Sequence, residues 1–202
     1  MKIAILIPSM GTWRAEFGMS LANLVANEAY ENSRSIEIIH ADGTLLPQSR
    51  TELVEAALKS KATHVLFCDA DITFPDDALG YLWNKDIIGV NYPTRRKPYR
   101  TTASVDGNRL PPSTGRADVQ EVDVLGMGFV LIKREVFEKV PKPWFTTGWL
   151  TDENGEPLSV ISEDAYFFRK CKEHGFQPYV DHALSQNIGH VGSVVFTHDM
   201  LK

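Results

Sequence analysis

Apolar and polar residues alternate along the first part of the chain in a way that predicts strands and helices in turn. Four short apolar runs have the composition of strands: Ile3–Ile7, Ser35–His40, Val65–Cys68 and Ile87–Asn91. Between them, apolar residues at spacings of three and four predict helices over 14–30 and 51–61, and a shorter helix from Pro75 to about Trp83. Strands that alternate with helices through short connections predict a mostly parallel sheet with helices on both faces.

The pattern changes after Asn91. Residues 92–120 are polar and rich in proline and glycine, which predicts a flexible loop, and a loop of this length is typical of binding segments and lids. Regular elements are expected again beyond it: a strand over 122–133 that Gly126 and Gly128 interrupt, helices over 134–139 and 163–173, and a short strand over 178–180. Glycines inside a strand indicate a bulge or a close approach to the backbone.

Composition narrows the class of protein. The chain has 202 residues, 43% of them hydrophobic and 23% charged, which predicts one globular domain. The net charge of −5 argues against a protein that binds bulk nucleic acid. The two cysteines form neither a disulfide framework nor a metal-binding spacing, and no apolar run is long enough to cross a bilayer. We therefore expect a cytoplasmic setting.

Two acidic residues follow the third predicted strand at once. Asp69 and Asp71 come directly after the run 65–68, and in an extended backbone residues two apart point to the same side. Neighbouring carboxylates repel each other, so such a pair favours a bound cation, and oxygen ligands suit Mg²⁺ or Mn²⁺. A turn in which an aspartate caps the helix after Pro75 explains the same residues without a metal.

The predicted strands end in polar residues that a parallel sheet brings to one edge. Pro8-Ser9, Ala41-Asp42 and the Asp69 to Asp71 pair all lie at carboxyl ends, where such sheets bind ligands. The first strand is not followed by G-x-G-x-x-G, and G-x-x-x-x-G-K-[ST] occurs nowhere. The sequence therefore predicts a ligand cleft at this edge, and it excludes the dinucleotide-binding fingerprint and the P-loop as the means of binding.

Four motifs occur in an order that is known from one group of enzymes. They are Asp69-Ala-Asp71, Gly126-Met-Gly128, Ser162-Glu-Asp164 and Gly189-His-Val-Gly192. In their order and spacing, from Ile3 to about Gly192, the chain resembles a GT-A fold nucleotide-sugar glycosyltransferase and is similar to the family 2 glycosyltransferases. The resemblance implies a single-domain, Rossmann-like α/β fold. Residues 1–91 would form a nucleotide-binding half, and residues 121–202 an acceptor and catalytic half.

The resemblance also implies roles for particular residues. Asp69 and Asp71 would hold Mn²⁺ or Mg²⁺ against the diphosphate of the donor, and His190 would complete the metal site, with His182 as the competing histidine. Asp164 would be the catalytic base, with Glu163 beside it at the start of the helix. Donor contacts are implied for Asp69 and Asp71 and also for Pro8, Ser9, Arg50, Ala70, Gly126 and Gly128. A UDP-sugar is the implied donor.

Glycosyl transfer needs these residue types. A departing nucleoside diphosphate gains negative charge that a cation stabilises. The attacking hydroxyl needs a carboxylate to take its proton, and the helix start is a place where Asp164 would stay ionised. The position of Asp164 favours an inverting reaction. Ordinary acidic charge at a helix start explains Glu163 and Asp164 without catalysis.

Two other functions stay open from the sequence. Leu66 to Thr73 also fits the D-x-D-x-T opening of haloacid dehalogenase-like phosphatases, in which the first aspartate is a nucleophile. That motif resembles the first strand of its family, whereas here two strand–helix units precede it, and a later G-D-x-x-x-D is absent. A module that binds sugar nucleotides without turnover is the other alternative.

The acceptor is not specified by the sequence. A glycan, a lipid-linked sugar or a modified nucleic acid would each supply a hydroxyl. The loop 92–120 opens with a basic cluster, which consists of Arg95, Arg96, Lys97 and Arg100. We expect this cluster to be a lid over the donor diphosphate, and the alternative is a site for an anionic acceptor.

Overall fold

The structure of the protein, a computed structural model, describes residues 1–192 and 195–201. In chain order its strands are β1 (Lys2–Ser9), β2 (Ser35–Asp42), β3 (His64–Cys68), β4 (Ile72–Thr73), β5 (Ile87–Gly89), β6 (Ser104–Val105), β7 (Asn108–Arg109), β8 (Val119–Glu121), β9 (Phe129–Lys133), β10 (Gly148–Thr151), β11 (Pro157–Ile161), β12 (Pro178–Asp181), β13 (Gly189–Val191) and β14 (Val195–Phe196). The helices are α1 (Ala15–Tyr30), α2 (Leu46–Lys59), α3 (Arg134–Lys139), α4 (Glu163–Glu173) and α5 (His182–Ser185). Single 3-10 turns cover Ala78–Tyr81 and His198–Met200.

A sheet of seven strands forms the centre of the described chain, in the order β2-β1-β3-β9-β5-β12-β8. β1 is parallel to β2 and β3, and β5 is parallel to β12. β9 is antiparallel to both of its neighbours, and β8 is antiparallel to β12. Five strands therefore run one way and two run the other, which confirms the predicted α/β class and the mostly parallel sheet.

Helices cover both faces of this sheet, as predicted. On one face α2, α3 and α4 bury an apolar cluster that includes Leu53, Phe137 and Phe167. On the other face α1 and α5 bury a second cluster that includes Phe17 and Leu184. The strands between the two clusters are apolar on both sides because both sides are buried. Among the described residues no helix combines the length and the apolar character needed to pass through a lipid bilayer.

Several element boundaries differ from the sequence-based prediction. α2 begins at Leu46 instead of Thr51, because Pro47 is well suited to a first helical turn, and this extension places Arg50 inside the helix. The helix expected from Pro75 is a single 3-10 turn. The strand expected over 122–133 is regular only over Phe129–Lys133, since the chain before it pairs elsewhere or turns.

The predicted loop 92–120 contains regular structure. β6 and β7 form a hairpin within it, and β8 joins the edge of the main sheet. Asn91 connects two parts of this segment through its side chain, which donates to the carbonyl of Pro111 at 3.1 Å and accepts from the amide of Ala103 at 3.0 Å. A second hairpin, β10–β11, lies between α3 and α4, where the sequence analysis predicted no regular element.

Candidate active site

The carboxyl ends of β1, β2 and β3 border a cavity of about 640 Å³, here called the first cavity. Of the predicted site residues, those that line it are Pro8, Ser9, Asp69, Ala70, Asp71 and His190. Its other lining residues are Met10, Thr12, Trp13, Arg14, Gly43, Thr44, Leu46 and Arg95. The sheet edge that the sequence predicted as a ligand cleft is therefore concave and brings the acidic pair and the late histidine together.

The two aspartates reach the first cavity through a tight turn. The amide of Ile72 donates to the carbonyl of Asp69 at 3.1 Å, so the backbone is not extended through Ala70 and the period of two does not apply here. The turn leads into β4, where Ile72 pairs with His190 of β13. The amide of Val191 also donates to the carbonyl of Asp71 at 2.7 Å. This short antiparallel pairing is what places a residue from the end of the chain beside the acidic pair.

His190 presents one ring nitrogen to Asp71. Its Nδ1 lies 2.9 Å from the carbonyl oxygen of Pro93, and its Nε2 lies 3.6 Å from Oδ1 of Asp71. A carbonyl only accepts, so Nδ1 carries the hydrogen, and in the neutral ring the lone pair is on Nε2. By contrast, His182 is fully buried between Ser113 and Gln120 and does not line the first cavity.

Opposing charges surround the two aspartates. Burial raises the pKa of Asp69, Arg50 opposes this at 3.5 Å, and the neighbouring Asp71 adds to it. For Asp71, burial acts in the same direction, but His190 and then Arg95 outweigh it and lower its pKa. The Arg95 guanidinium lies 2.6 Å from Oδ2 of Asp71. The site thus favours a charged Asp71 next to an Asp69 that gives up its proton less readily.

Arginines occupy the positions beside the aspartates. Within residues 1–192 and 195–201, no three histidine, cysteine or acidic side chains lie close enough together to hold a metal ion as they stand. Asp71 is paired with Arg95, and Asp69 is in contact with Arg50. A cation that takes ligands from Asp69, Asp71 and His190 would therefore require Arg95 to move away from Asp71.

Arg50 lies behind Asp69 and connects three elements. Its side chain is only 3% exposed; Nη1 is 2.5 Å from Oε1 of Glu163, and Nη2 is 3.5 Å from Oδ1 of Asp69. The buried Nε of Arg50 has no partner among the described residues. Neither Arg50 nor Glu163 lines the first cavity. The guanidinium therefore fixes α2, the end of β3 and the start of α4 relative to one another.

Asp164 lies at the start of α4, next to Glu163. Its carboxylate accepts a hydrogen bond from the amide of Ala165 at 2.7 Å and another from the hydroxyl of Ser162. It does not line the first cavity, but its charge acts on Tyr92. Burial first, and then the charges of Asp69 and Asp164, raise the pKa of the Tyr92 phenol. Asp164 therefore acts on Tyr92, the same side chain on which the charge of Asp69 acts.

Gly126 and Gly128 make room for the ring of Tyr92. A Cβ atom on either glycine would lie 2.5 or 2.6 Å from the Tyr92 hydroxyl oxygen, which is closer than real Cβ atoms come. The amide of Gly128 donates to that oxygen at 3.0 Å. The predicted close approach to the glycine backbone is confirmed, and the approaching group is a side chain of the protein itself. A donor contact at these glycines stays a separate prediction.

Solved structures resemble the chain, although sequence comparison finds no relative. No protein-family model matches it, and no curated protein sequence matches it. The crystal structure of A197 from STIV is 21% identical, with a TM-score of 0.65, over 99% of this chain and 92% of that chain. The crystal structure of GalNAc-T7 with UDP, GalNAc and Mn²⁺ is 11% identical, with a TM-score of 0.60, over 95% of this chain and 44% of that chain. The chain has a GT-A fold. The fold predicted from the sequence is confirmed, and the chemistry has to be argued from the side chains.

Within this GT-A fold, the sequence-based prediction missed part of one wall of the first cavity: Ser9 was predicted, but Trp13 and Arg14 were not. Ser9 Oγ lies 2.8 Å from Nε2 of His40 and donates to Oδ1 of Asp42 at 3.0 Å. The ring of Trp13, which is 41% exposed, lies edge-on to His40 at 5.6 Å between centroids. The amide of Arg14 donates to the carbonyl of Ala70 at 3.1 Å and so joins this wall to the acidic turn. A tryptophan and an arginine in the loop after the first strand were the available signal.

Proposed function

We propose that the protein is a metal-dependent glycosyltransferase that moves a sugar from a nucleotide-diphosphate donor, a UDP-sugar, to an acceptor hydroxyl. The observation that carries the proposal is the first cavity. One end offers the exposed ring of Trp13 and the hydroxyl of Ser9, which donates to the carboxylate of Asp42 behind it, and such groups suit a nucleoside. The other end offers two carboxylates and an imidazole nitrogen.

The acidic end suits a divalent cation, and this supports metal dependence. Oxygen ligands from Asp69 and Asp71 and the lone pair of His190 Nε2 form a donor set that Mn²⁺ accepts. A bound Mn²⁺ or Mg²⁺ would stabilise the charge on the departing diphosphate. Arg14 and Arg95 line the same cavity and would add positive charge. The crystal structure of GalNAc-T7, which has the same fold, contains UDP and Mn²⁺.

We assign the proton transfer from the acceptor hydroxyl to Asp164. Glu163 is engaged by Arg50 at 2.5 Å, so it positions the start of α4, and Asp164 is the next carboxylate along the helix. Two hydrogen-bond donors hold Asp164, and its charge is felt at Tyr92 together with that of Asp69. A base on the acceptor side and a leaving group at the acidic pair fit a single displacement with inversion.

The affinity of the protein for UDP tests the metal site. We expect Mn²⁺ to increase UDP affinity about tenfold or more in the natural chain, and EDTA to remove the gain. Asp71→Ala should lose the gain, whereas Glu135→Ala, which removes an exposed carboxylate on α3, should keep it. Isothermal titration calorimetry with and without Mn²⁺ measures both. Equal UDP affinity in Mn²⁺ and in EDTA would contradict the proposed metal site.

Product analysis separates the alternatives. Incubation with UDP-sugars and Mn²⁺ should release UDP, at a rate that an acceptor increases. Release of inorganic phosphate from a phosphate monoester would indicate a phosphatase that uses Asp69 as nucleophile. Tight UDP binding without any product, across a panel of UDP-sugars and sugar acceptors, would indicate a binding module.

A further inference from the structure

A second cavity, of about 430 Å³, adjoins the first. The two cavities share Arg95 and His190 among their lining residues, so these side chains form the wall between them. The rest of the second cavity is lined by Tyr92, Thr94, Arg96, Lys97, Pro98, Arg100 and Thr102. None of its lining residues is acidic, although the acidic pair lies just beyond the wall.

Three cations at the second cavity have no acidic partner among the residues that the structure describes. Arg95 is paired with Asp71 at 2.6 Å. Arg96, Lys97 and Arg100 are exposed, and none lies within 4.0 Å of a carboxylate in the part of the chain that the structure describes. Like charges this close together repel one another. Their grouping without counter-charge therefore favours a bound anion.

The backbone holds these cations in a closed turn. The amide of Thr94 donates to the carbonyl of Arg100 at 2.7 Å, and the amide of Arg100 donates back to the hydroxyl of Thr94 at 3.1 Å. Pro93 and Thr101 form a β-bridge at the base of this turn. Arg95 anchors it by donating to the carbonyl of Val191 at 3.3 Å. The backbone that carries the cations is thus arranged before a ligand arrives, which lowers the part of the entropy cost of binding that comes from ordering the chain.

The donor does not account for these three cations. At the first cavity a divalent cation would match the charge of the donor diphosphate, while Arg50 contacts Asp69 and Arg95 is paired with Asp71. Charges there are balanced without Arg96, Lys97 and Arg100. The excess positive charge lies in the neighbouring cavity, which shares Arg95 and His190 with the cavity proposed for the donor.

We propose that the second cavity binds a phosphoryl group of the acceptor, which makes the acceptor a phosphorylated sugar. The proposal rests on the proposed glycosyl transfer. Arginine side chains bind phosphate through paired hydrogen bonds, and a cavity of this size suits a small ligand. A polynucleotide would require an extended positive stripe. Here the positive charge is confined to the single turn from Arg96 to Arg100, and the chain as a whole has a net charge of −5.

Glucose 6-phosphate and glucose are a matched pair of probes for this cavity. We expect the phosphate ester to bind the full chain in the presence of UDP and Mn²⁺, and glucose to bind at least tenfold more weakly. Arg96→Gln and Arg100→Gln should each weaken the phosphate ester about tenfold. Lys59→Gln removes an exposed cation at the far end of α2 and should change nothing. Calorimetry gives each dissociation constant directly.

Three results would overturn the proposal, and each has a different meaning. Equal affinity for the two probes would show that the cavity does not recognise phosphate. Weaker UDP binding in Arg96→Gln and Arg100→Gln, with the phosphate ester unaffected, would show that the turn is a lid over the donor. Steeply salt-dependent binding of a DNA duplex, lost in the same variants while the phosphate ester fails to bind, would indicate a polynucleotide. Failure of UDP to bind the natural chain would instead contradict the proposed function.

Discussion

Replacing Arg50 with alanine should destabilise the protein far more than removing an exposed arginine. The Arg50 side chain is 3% exposed and contacts Glu163 and Asp69, whose side chains are 15% and 29% exposed. Without the guanidinium, two carboxylates from different parts of the chain would share a site with little access to water. Burial and Asp71 already raise the pKa of Asp69, and the loss of Arg50 would raise it further.

The size of the effect follows from how deeply the pair is buried. Removing one member of a buried ion pair costs about 3–5 kcal/mol. Asp69 keeps part of its hydration, so we expect the lower end, about 3 kcal/mol, which for a chain of this length lowers Tm by roughly 6–12 °C. Arg169 is the matched control: it also lies in a helix, pairs with Glu173 at 3.7 Å, and is 52% exposed. Its removal should cost only about 0.3–0.5 kcal/mol.

Urea denaturation near neutral pH, followed by circular dichroism, measures the free energy of unfolding of each variant. Adding Glu163→Gln to Arg50→Ala should restore part of the lost free energy of unfolding, because it removes one of the two carboxylate charges that Arg50 contacts. A loss below about 1 kcal/mol in Arg50→Ala, or one equal to that in Arg169→Ala, would refute the reasoning. Failure of Glu163→Gln to restore stability would show that Arg50 acts through the packing of its stem.

Other residues allow three further tests. Asp164→Asn should lower turnover by roughly 10²–10⁴-fold with UDP affinity unchanged, measured by UDP release and calorimetry; a parallel loss of UDP affinity would place Asp164 in the donor site. Gly128→Ala should lower the free energy of unfolding by about 1–3 kcal/mol, and by less in a Tyr92→Phe background, where the crowded hydroxyl is gone. Burial lowers the pKa values of His182 and His198, so the unfolded chain binds more protons as the pH falls below about 6.5 and stability should fall with it. Urea denaturation across this range should show a smaller pH dependence in His182→Gln, and an equal slope would contradict the assignment.

Apolar periodicity predicted β1, α1, β2, α2, β3 and β5 because each packs buried or partly buried apolar side chains against a core cluster. Periodicity did not predict the two hairpins, β6–β7 and β10–β11, and the reason differs between them. In β6–β7 the strands are two residues long, too short for a period, although Asp106-Gly107 is a strong turn signal and both residues have positive φ, 50° and 73°. In β10–β11 both faces are largely exposed, including Trp149 and Leu158, so apolar and polar residues do not alternate.

The acidic pair and His190 were predictable because each stands next to a strand end or a glycine in the sequence. The ion pairs that arginines form at this site could not be predicted from the sequence. Arg50 meets Glu163 across 113 positions, and only because α2 begins a turn earlier than its apolar stripe. Arg95 was recognised as part of a basic cluster, but its contact with Asp71 depends on the pairing of β4 with β13, which are two and three residues long.

The position of β9 in the sheet has a consequence for how the chain is made. β9 lies between β3 and β5, which are both complete by Gly89, yet it ends only at Lys133. While the ribosome synthesises the intervening segment, both neighbours have edges whose amides and carbonyls lack their final partners, and such edges favour aggregation. Closing the sheet is therefore a late event, in which one strand inserts and forms two ladders together. A chain cut within 92–120 would give two pieces that must associate before either has a complete sheet.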